Sequence, residues 1–518
     1  MNRKRLLIRS LVICGVLALI LGVLGGRTFA QLTVGNASYE TIDTYVEEQM
    51  QRLNIPGVSL AIVEGDQIVH LRGFGQARPN GGAPSPQTPF ILGSTTKSFT
   101  ALAVMQLVEA GKIELDSPLQ RYLSWFRVAD SQASAQITVR HLLSQISGLP
   151  GAPGMITLAN LDDSPGAAER QARALSTLKL TRPVGAAFEY SNLNYNLLGL
   201  VVAAASGESY ADYIQNHIFA PLEMRHSYTA QTMAKQNGLA VGHRYWFTFP
   251  QAMPNLVFPQ GSLPTGGLIS SAEDMAHYLI AHLNGGRHGE AQILSPEGIA
   301  ELHRGRVAAV EMGVAMGQYG MGWFITEFDQ TKTVWHHGAL PDFSSYMALL
   351  PAQQKGLVIL INADHYGFPP IVTEVGEGAT ALLAGRQPSP LELGFAPWVM
   401  RALLLIPFLQ IIGVGATLRR LHRWRQDPQL RPSKGRIWGL HILLPLLPNL
   451  LLATITVLLL VSGLIRFTLL FTPDLSWVAL ICGGFAGIWT FLRTGLILRI
   501  LRKPEASKRA LDGSEHIH

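Results

Sequence analysis

The chain has 518 residues, enough for two or three modules, and its 41 basic and 35 acidic residues give a sequence pI of about 9.3. Residues 31–390 nevertheless hold 21 basic and 29 acidic residues, so the basic excess lies before and after them, beside apolar segments. That distribution argues against a nucleic-acid-binding face and is typical of the cytoplasmic loops of a membrane protein.

The amino-terminal segment, residues 1–30, has the pattern of a signal peptide or an uncleaved signal anchor. A basic start, MNRKR, is followed by an apolar run from Leu11 to Gly26 and by small residues near Ala30. Cleavage after Ala30 and retention as an anchor both remain open. Either outcome predicts that the following residues are exported.

Residues 31–388 have strand patterns at both ends and helix patterns between them. GVSLAIVEGDQIVHLRGFG predicts a hairpin turning at Glu64-Gly65-Asp66, and TVWHHGALPDFSSYMALLPAQQKGLVILIN predicts further strands far downstream. Helical stretches such as SFTALAVMQLVEAG and YNLLGLVVAAASG lie between them. The expected fold class is therefore α/β, with an antiparallel sheet built from both ends, flanking helices and an inserted helical subdomain.

The stretch ILGSTTKSFT places Ser94 three residues before Lys97, at the start of a helix that is apolar almost all round and stops at Gly111. Such a helix is buried, and the free N–H groups at its amino terminus favour an oxyanion. A lysine in apolar surroundings loses solvation, so its pKa should fall and it can accept the serine proton. The alternative is an N-cap serine with a surface lysine, which suits the second copy of the pattern, Ser176–Lys179, better.

Two further motifs follow Ser94 and Lys97 along the chain. Tyr190-Ser191-Asn192 precedes an apolar helix, and His336-His337-Gly338 lies on a predicted strand. Taken alone, the first is also compatible with a turn around a buried tyrosine, and the second with a structural strand histidine. His303-Arg-Gly305 repeats the third pattern in a helical context, without a following strand.

In this order, the three motifs resemble those of the serine β-lactamase-like superfamily, in its class C β-lactamase, D,D-carboxypeptidase and esterase branch. The resemblance runs from about Tyr39 to Asn362 and includes the phrases ITVRHLLSQISGLP and PTGGLISSAEDMAHYL. Glu223 and Asp342 depart from the family pattern because glycine is common at both places, and these changes bear on substrate shape.

The resemblance implies a role for each motif. The serine attacks a carbonyl, the lysine and tyrosine form a proton relay, and two backbone N–H groups form an oxyanion hole. The asparagine holds a substrate amide, while the histidine assists the tyrosine or meets an acidic end of the substrate. The implied residues are the catalytic Ser94, Lys97, Tyr190 and His336 and the substrate-binding Asn192, Gly338 and Ala339, with the oxyanion hole at the N–H groups of Ser94 and Ala339.

A section from 389 to 503 contains three apolar stretches, at about 398–418, 440–465 and 475–498, each close to the length that crosses a bilayer. Seven basic residues follow the first stretch and only Arg466 follows the second. The positive-inside rule therefore places residue 390 outside the cell and the tail 504–518 in the cytoplasm. Three buried core helices are the alternative.

The aromatic run RYWFTFPQAMPNLVF is expected to be a packed loop, with a substrate wall as the alternative. Only two cysteines occur, Cys14 and Cys482, both in apolar segments, and no histidine or carboxylate cluster has metal-ligand spacing. We therefore expect no metal and no cofactor.

The leading functional hypothesis is a serine hydrolase tethered to a bacterial cytoplasmic membrane by several spans. It would act on the outer side, through an acyl-enzyme, on an amide, peptide, β-lactam or ester. A slowly deacylating sensor of β-lactams or cell-wall peptides is a second hypothesis, and a structural membrane protein with an inactive hydrolase domain is a third. The expected partners are the substrate and membrane lipid, without nucleic acid, and the oligomeric state is left open.

Overall fold

The computed structural model describes residues 38–502, except 161, 163, 165, 256–258, 312, 329–330, 365–370 and 391–394. The signal segment at 1–30 and the cytoplasmic tail at 504–518 lie outside the described residues, so both stay predictions.

A large antiparallel sheet forms the centre of the first section of the chain. Its strands are β1 (Gly57–Glu64), β2 (Gln67–Gly75), β9 (Val307–Glu311), β10 (Val314–Tyr319), β11 (Phe324–Phe328), β12 (Thr331–Ala339), β13 (Ser344–Leu350) and β14 (Lys355–Ile361), in the spatial order β2-β1-β14-β13-β12-β11-β10-β9. Shorter strands are β3 (Phe90–Ile91), β4 (His243–Trp246), β5 (Phe249–Ala252), β6 (Ile269–Ser270), β7 (Arg287–His288), β8 (Ala291–Gln292) and β15 (Ala363–Asp364).

The predicted construction of the sheet from both ends of this section is confirmed. β1 and β2 form the expected hairpin, with Glu64 opposite Gln67, and β1 pairs antiparallel with β14, where Val58 faces Ile361. Because β1 and β14 are buried along nearly their whole length, each needs a helical layer on both faces.

Helices supply those two layers. They are α1 (Tyr39–Leu53), α2 (Thr96–Glu109), α3 (Ser131–Gln136), α4 (Val139–Leu143), α5 (Gly151–Thr157), α6 (Ala167–Arg173), α7 (Asn192–Ser206), α8 (Tyr210–Ile214), α9 (Gln231–Gln236), α10 (Ala272–Leu283), α11 (Pro296–Leu302) and α12 (Ile371–Leu383). One face of the sheet packs on α1 and α12. The other face packs on α10 and, with α2 and α7, forms a second, larger core. The inserted helices lie in that larger core, as expected from the sequence.

The last section is helical. Its elements are α13 (Ala396–Ala402), α14 (Leu405–Gln426), α15 (Lys434–Arg436), α16 (Leu444–Val461), α17 (Ile465–Phe471) and α18 (Pro473–Arg502). Three segments are long and apolar enough to cross a membrane, at Pro397–Gln426, Lys434–Val461 and Pro473–Leu501. They match the three predicted stretches, although the second ends before Gly463, whose φ of 73° is left-handed and stops the helix.

Residues 244–252 of the aromatic run form a hairpin rather than the packed loop expected. β4 and β5 pair antiparallel, with Trp246 opposite Phe249, and the turn consists of Phe247 and Thr248. β4 also pairs in parallel with β15, which extends β14 in sequence, so the ladder draws the segment into regular structure.

Candidate active site

Ser94 and Lys97 are joined directly. Ser94 lies in a 3₁₀ turn, Gly93–Thr95, which runs straight into α2, and Lys97 Nζ lies 2.9 Å from Ser94 Oγ. The Lys97 side chain is 0% exposed, because nearly every residue of α2 is buried against its neighbours. This buried lysine therefore has the nucleophile candidate within proton-transfer distance.

The alternative of an N-cap serine and a surface lysine does not describe this pair. The side chain at the actual N-cap, Thr95, makes no capping bond, and the preceding turn has none either. The surface-lysine part of that alternative does describe the second Ser-x-x-Lys, because both Ser176 and Lys179 are exposed, although Ser176 lies within a 3₁₀ turn, Ala174–Thr177, and is not an N-cap. Burial alone separates the two copies of the pattern.

Thr265 joins the lysine to the second motif. Its carbonyl oxygen accepts a hydrogen bond from Lys97 Nζ at 2.8 Å, and its hydroxyl donates to Asn192 Oδ1 at 3.0 Å. Asn192 is the first residue of α7, and its Nδ2 donates to Gly154 O of α5 at 3.4 Å. The asparagine is thus held from two sides at the start of a buried helix.

Tyr190 lies beside the lysine, just before α7. Lys97 Nζ is 5.0 Å from the centre of the Tyr190 ring, and the Tyr190 side chain is half-buried. Tyr195 is also near, at 5.8 Å, but its hydroxyl donates to Leu143 O at 2.9 Å and burial raises its pKa. Of these two phenols, Tyr190 is the one with solvent access beside the lysine.

His336 lies on β12 and is completely buried. Its Nδ1 donates to His337 O at 2.6 Å, and its ring centre is 6.4 Å from that of Tyr190. Burial lowers the pKa of His336 well below its ordinary value. The imidazole is therefore neutral near pH 7, and it offers Tyr190 a polar neighbour rather than a cation.

The third motif approaches the serine through its backbone. A side chain at Gly338 would place its Cβ 2.8 Å from Ser94 N and 2.1 Å from Leu92 O. Gly93 has a left-handed φ of 59°, and a Cβ there would lie 3.0 Å from Ala339 N. Both glycines let the backbone at Ser94 and the backbone at Ala339 approach each other closely, which an oxyanion hole formed by their two N–H groups would require.

One grouping among the described residues has metal-ligand atoms within 4.8 Å of one another: His226, Glu273 and Asp274. Asp274 Oδ2 already accepts from Ser227 Oγ at 2.7 Å, and Glu273 Oε2 accepts from Gln87 at 2.9 Å. The cluster also lies at the amino end of α10, where the helix dipole disfavours a cation. These hydrogen bonds give it a structural role.

The structure joins the expected residues by contacts that begin at Ser94. Lys97 contacts Ser94 directly, Thr265 joins Lys97 to Asn192, Tyr190 lies beside both Lys97 and His336, and the backbone of Gly338 and Ala339 approaches that of Gly93 and Ser94. The roles of these residues stay predictions. Sequence reasoning missed Thr265 and Tyr195, the partners that fix Asn192 and close the pocket around Lys97. The available signal for Thr265 was its position in PTGGLISS, a phrase that carries the resemblance without revealing which residue touches the site.

Comparisons with known proteins show which family this chain is similar to. The model of the family described as Beta-lactamase matches residues 42–375. "Protein flp" of Staphylococcus aureus (strain MW2) is 30% identical over 343 residues, covering 65% of this chain and 66% of that relative's length. "Penicillin-binding protein 4" of Amycolatopsis lactamdurans is 27% identical over 320 residues, covering 60% of this chain and 81% of the relative.

A solved structure is similar over the same region. The octameric penicillin-binding protein homologue from Pyrococcus abyssi aligns with a TM-score of 0.59 and 28% identity, covering 68% of this chain and 78% of that one. The family resemblance and the fold class expected from the sequence are thereby confirmed.

Proposed function

This chain belongs to the beta-lactamase family, and we propose that it is a serine hydrolase that forms an acyl-enzyme at Ser94. The observation that carries the proposal is the 2.9 Å distance between Lys97 Nζ and Ser94 Oγ, with the lysine fully buried. Burial disfavours the ammonium form, so the amine is available as a base for the serine proton.

The proposed reaction has two halves. Lys97 Nζ takes the Ser94 proton as Oγ bonds to the substrate carbonyl carbon, and the oxyanion meets the N–H groups of Ser94 and Ala339. The bond to the leaving group then breaks, and that group receives its proton through Lys97 and Tyr190. Water attacks the acyl carbon in the second half, releases the acid and returns the proton to Ser94. The oxyanion donors supply roughly 3 kcal/mol each.

We infer the substrate class from the walls of the site. Asn192 is held at the start of α7, where it can pair with a substrate amide. His336 is neutral, so the site has less attraction for a substrate carboxylate than a lysine at this place would give. Esters and amides without a nearby carboxylate are therefore expected to compete well with D-residue peptides and β-lactams.

We propose that the domain faces the outside of a bacterial cytoplasmic membrane. Three apolar helices of crossing length support membrane attachment, and the seven basic residues after the first of them support a cytoplasmic loop there. The basic start of the chain supports the same orientation. The test is to engineer a cysteine into each of the two loops between the apolar helices. The measurement is whether a thiol reagent that does not cross the membrane labels each cysteine in intact cells.

The test of the hydrolase proposal is turnover. The full chain in detergent is mixed with a chromogenic β-lactam and, separately, with a chromogenic ester, and both product and covalent adduct are followed. Product release that continues for many cycles supports a hydrolase. An adduct that forms once and persists would instead support the slowly deacylating sensor.

A further inference from the structure

The turn of the β4–β5 hairpin is strained and is bound by the helical section at 396–502, here called the membrane section. Phe247 and Thr248 both have left-handed φ values, 50° and 74°. Such turns normally contain asparagine and glycine, and a β-branched residue there is a true outlier. Strain of this kind persists only where surrounding structure imposes it.

The surrounding structure consists of residues near the amino-terminal ends of the first and third apolar segments, Pro397–Gln426 and Pro473–Leu501. Asp474, the second residue of α18, is 0% exposed, and its Oδ2 accepts a hydrogen bond from Phe247 N at 2.9 Å. Arg401 of α13 donates from Nε to Thr248 Oγ1 at 2.8 Å, and its guanidinium lies 5.2 Å from the centre of the Phe249 ring. Both residues of the strained turn are therefore held by side chains of the membrane section.

The other end of the same hairpin contacts the loop that follows Ala339. Arg244 of β4 donates from Nε to Asp342 Oδ1 at 2.6 Å and from a terminal nitrogen to Oδ2 at 3.0 Å. Both side chains are buried, at 9% and 0% exposure, so this bidentate pair fixes position strongly. Asp342 stands only three residues after Ala339, and its carbonyl also accepts from His243 N at 3.2 Å.

The opposite wall of the site has a second support from the membrane section. Phe471 of α17 is completely buried in the larger core, and α17 packs against α5. Gly154 of α5 accepts the hydrogen bond from Asn192. The membrane section thus touches the β4–β5 hairpin, which holds Asp342 beyond Ala339, and α5, which holds Asn192.

We propose that the membrane section positions residues of the active site. In this proposal, Asp474 and Arg401 hold the strained turn, and the Arg244–Asp342 pair transmits that position to the loop carrying Ala339, so that its N–H meets the oxyanion. Asp474, Arg244 and Asp342 are positioning residues, since none is placed against substrate. The departure from glycine at Asp342 gains a reason, because glycine has no carboxylate for Arg244.

The inference rests on the proposed acylation of Ser94, and its test uses the full chain in detergent micelles or nanodiscs. Asp474→Ala is compared with Asp427→Ala, which removes an exposed carboxylate from the loop between the first two spans. Two quantities are measured: the rate constant of fluorophosphonate labelling at Ser94, and amide hydrogen exchange in peptides covering 243–253 and 339–344.

We expect Asp474→Ala to slow labelling by about 10- to 100-fold, since a displacement of about 1 Å in a catalytic group costs that much. Exchange should speed up in both peptides, while α10 keeps its protection and Asp427→Ala changes nothing. An unchanged labelling rate, or a slower rate without faster exchange at 339–344, would overturn the proposal.

A rescue separates this role from simple tethering. Phe247→Asn with Thr248→Gly gives the turn residues that accept left-handed φ, so the hairpin no longer needs Asp474. Adding this pair to Asp474→Ala should restore the labelling rate to within about threefold of wild type. Failure to restore it would show that Asp474 acts elsewhere, contrary to the proposal.

Two contingencies are covered. If Asp474→Ala does not fold, Arg401→Gln removes the bond to Thr248 and the contacts of the guanidinium with the Phe249 and Trp398 rings, and it should shift both readouts in the same direction by less. If wild type is not labelled at all, the hydrolase proposal fails, and the exchange comparison still tests the mechanical link by itself.

Discussion

Lys97 Nζ and Ser94 Oγ are 2.9 Å apart, and the lysine is shut off from solvent. We predict that Lys97→Arg lowers the acylation rate by about 10²–10⁴-fold, because a guanidinium stays protonated and cannot accept the serine proton. The measurement is the rate constant of fluorophosphonate labelling. Lys179→Arg, in the exposed copy of the motif, is the matched control, and an equal loss in both variants would contradict the assignment.

The two phenols near the lysine give a second prediction. Tyr190→Phe should reduce acylation by about 10²-fold, since it removes one member of the proton relay. Tyr195→Phe should keep the rate and lose about 1 kcal/mol of stability, because it removes the hydrogen bond that the hydroxyl donates to Leu143 O. Labelling kinetics and thermal unfolding of both variants check this. A larger rate loss in Tyr195→Phe would reverse the roles.

These same residues show which contacts of the site can be predicted from the sequence. Ser94 and Lys97 are neighbours on one helical turn, so their contact follows from spacing and apolar context. Thr265 contacts Lys97 across 168 positions, and Arg244 contacts Asp342 across 98. Such pairs depend on how distant elements pack, and no local pattern contains that information.

The aromatic hairpin and the membrane section show the same limit from another side. The three apolar stretches could be predicted from the sequence because bilayer thickness sets their length. The contact of Asp474 with Phe247 could not be predicted from the sequence, since an acidic side chain at the start of a span could equally well be exposed to solvent. A left-handed φ at Phe247 or Thr248 also goes against local preference, and tertiary contacts impose it.

Gly338 gives a third prediction. Gly338→Ala should abolish labelling and lower the melting temperature, because the new Cβ would lie 2.1 Å from Leu92 O and 2.8 Å from Ser94 N. Gly82→Ala is the control, since its Cβ would meet nothing within 4 Å. Labelling and thermal unfolding are measured on both. Normal labelling in Gly338→Ala would show that the third motif does not meet the serine as described.

Buried histidines give a fourth prediction, on pH. Burial lowers the pKa of His336 and His282 well below the ordinary value and that of His303 to about 3. Below pH 6.5 the unfolded chain therefore binds protons that the folded chain does not. Stability is fully present above pH 6.5 and falls as pH drops, by about 1.4 kcal/mol per pH unit for each such histidine.

Urea unfolding between pH 7.5 and 5 measures that slope. His303→Gln should reduce it by the contribution of one proton. A slope that His303→Gln leaves unchanged would contradict a neutral, buried His303.

The central claim is that Ser94 is the nucleophile. Its most direct test is intact-mass spectrometry and peptide mapping of the full chain after incubation with a fluorophosphonate and, separately, with a penicillin. Ser94→Ala and Ser176→Ala are treated in parallel. We predict a single adduct on wild type and on Ser176→Ala, mapped to Ser94, and none on Ser94→Ala. A folded wild type that gains no adduct from either probe, or an adduct that persists in Ser94→Ala, would contradict the account.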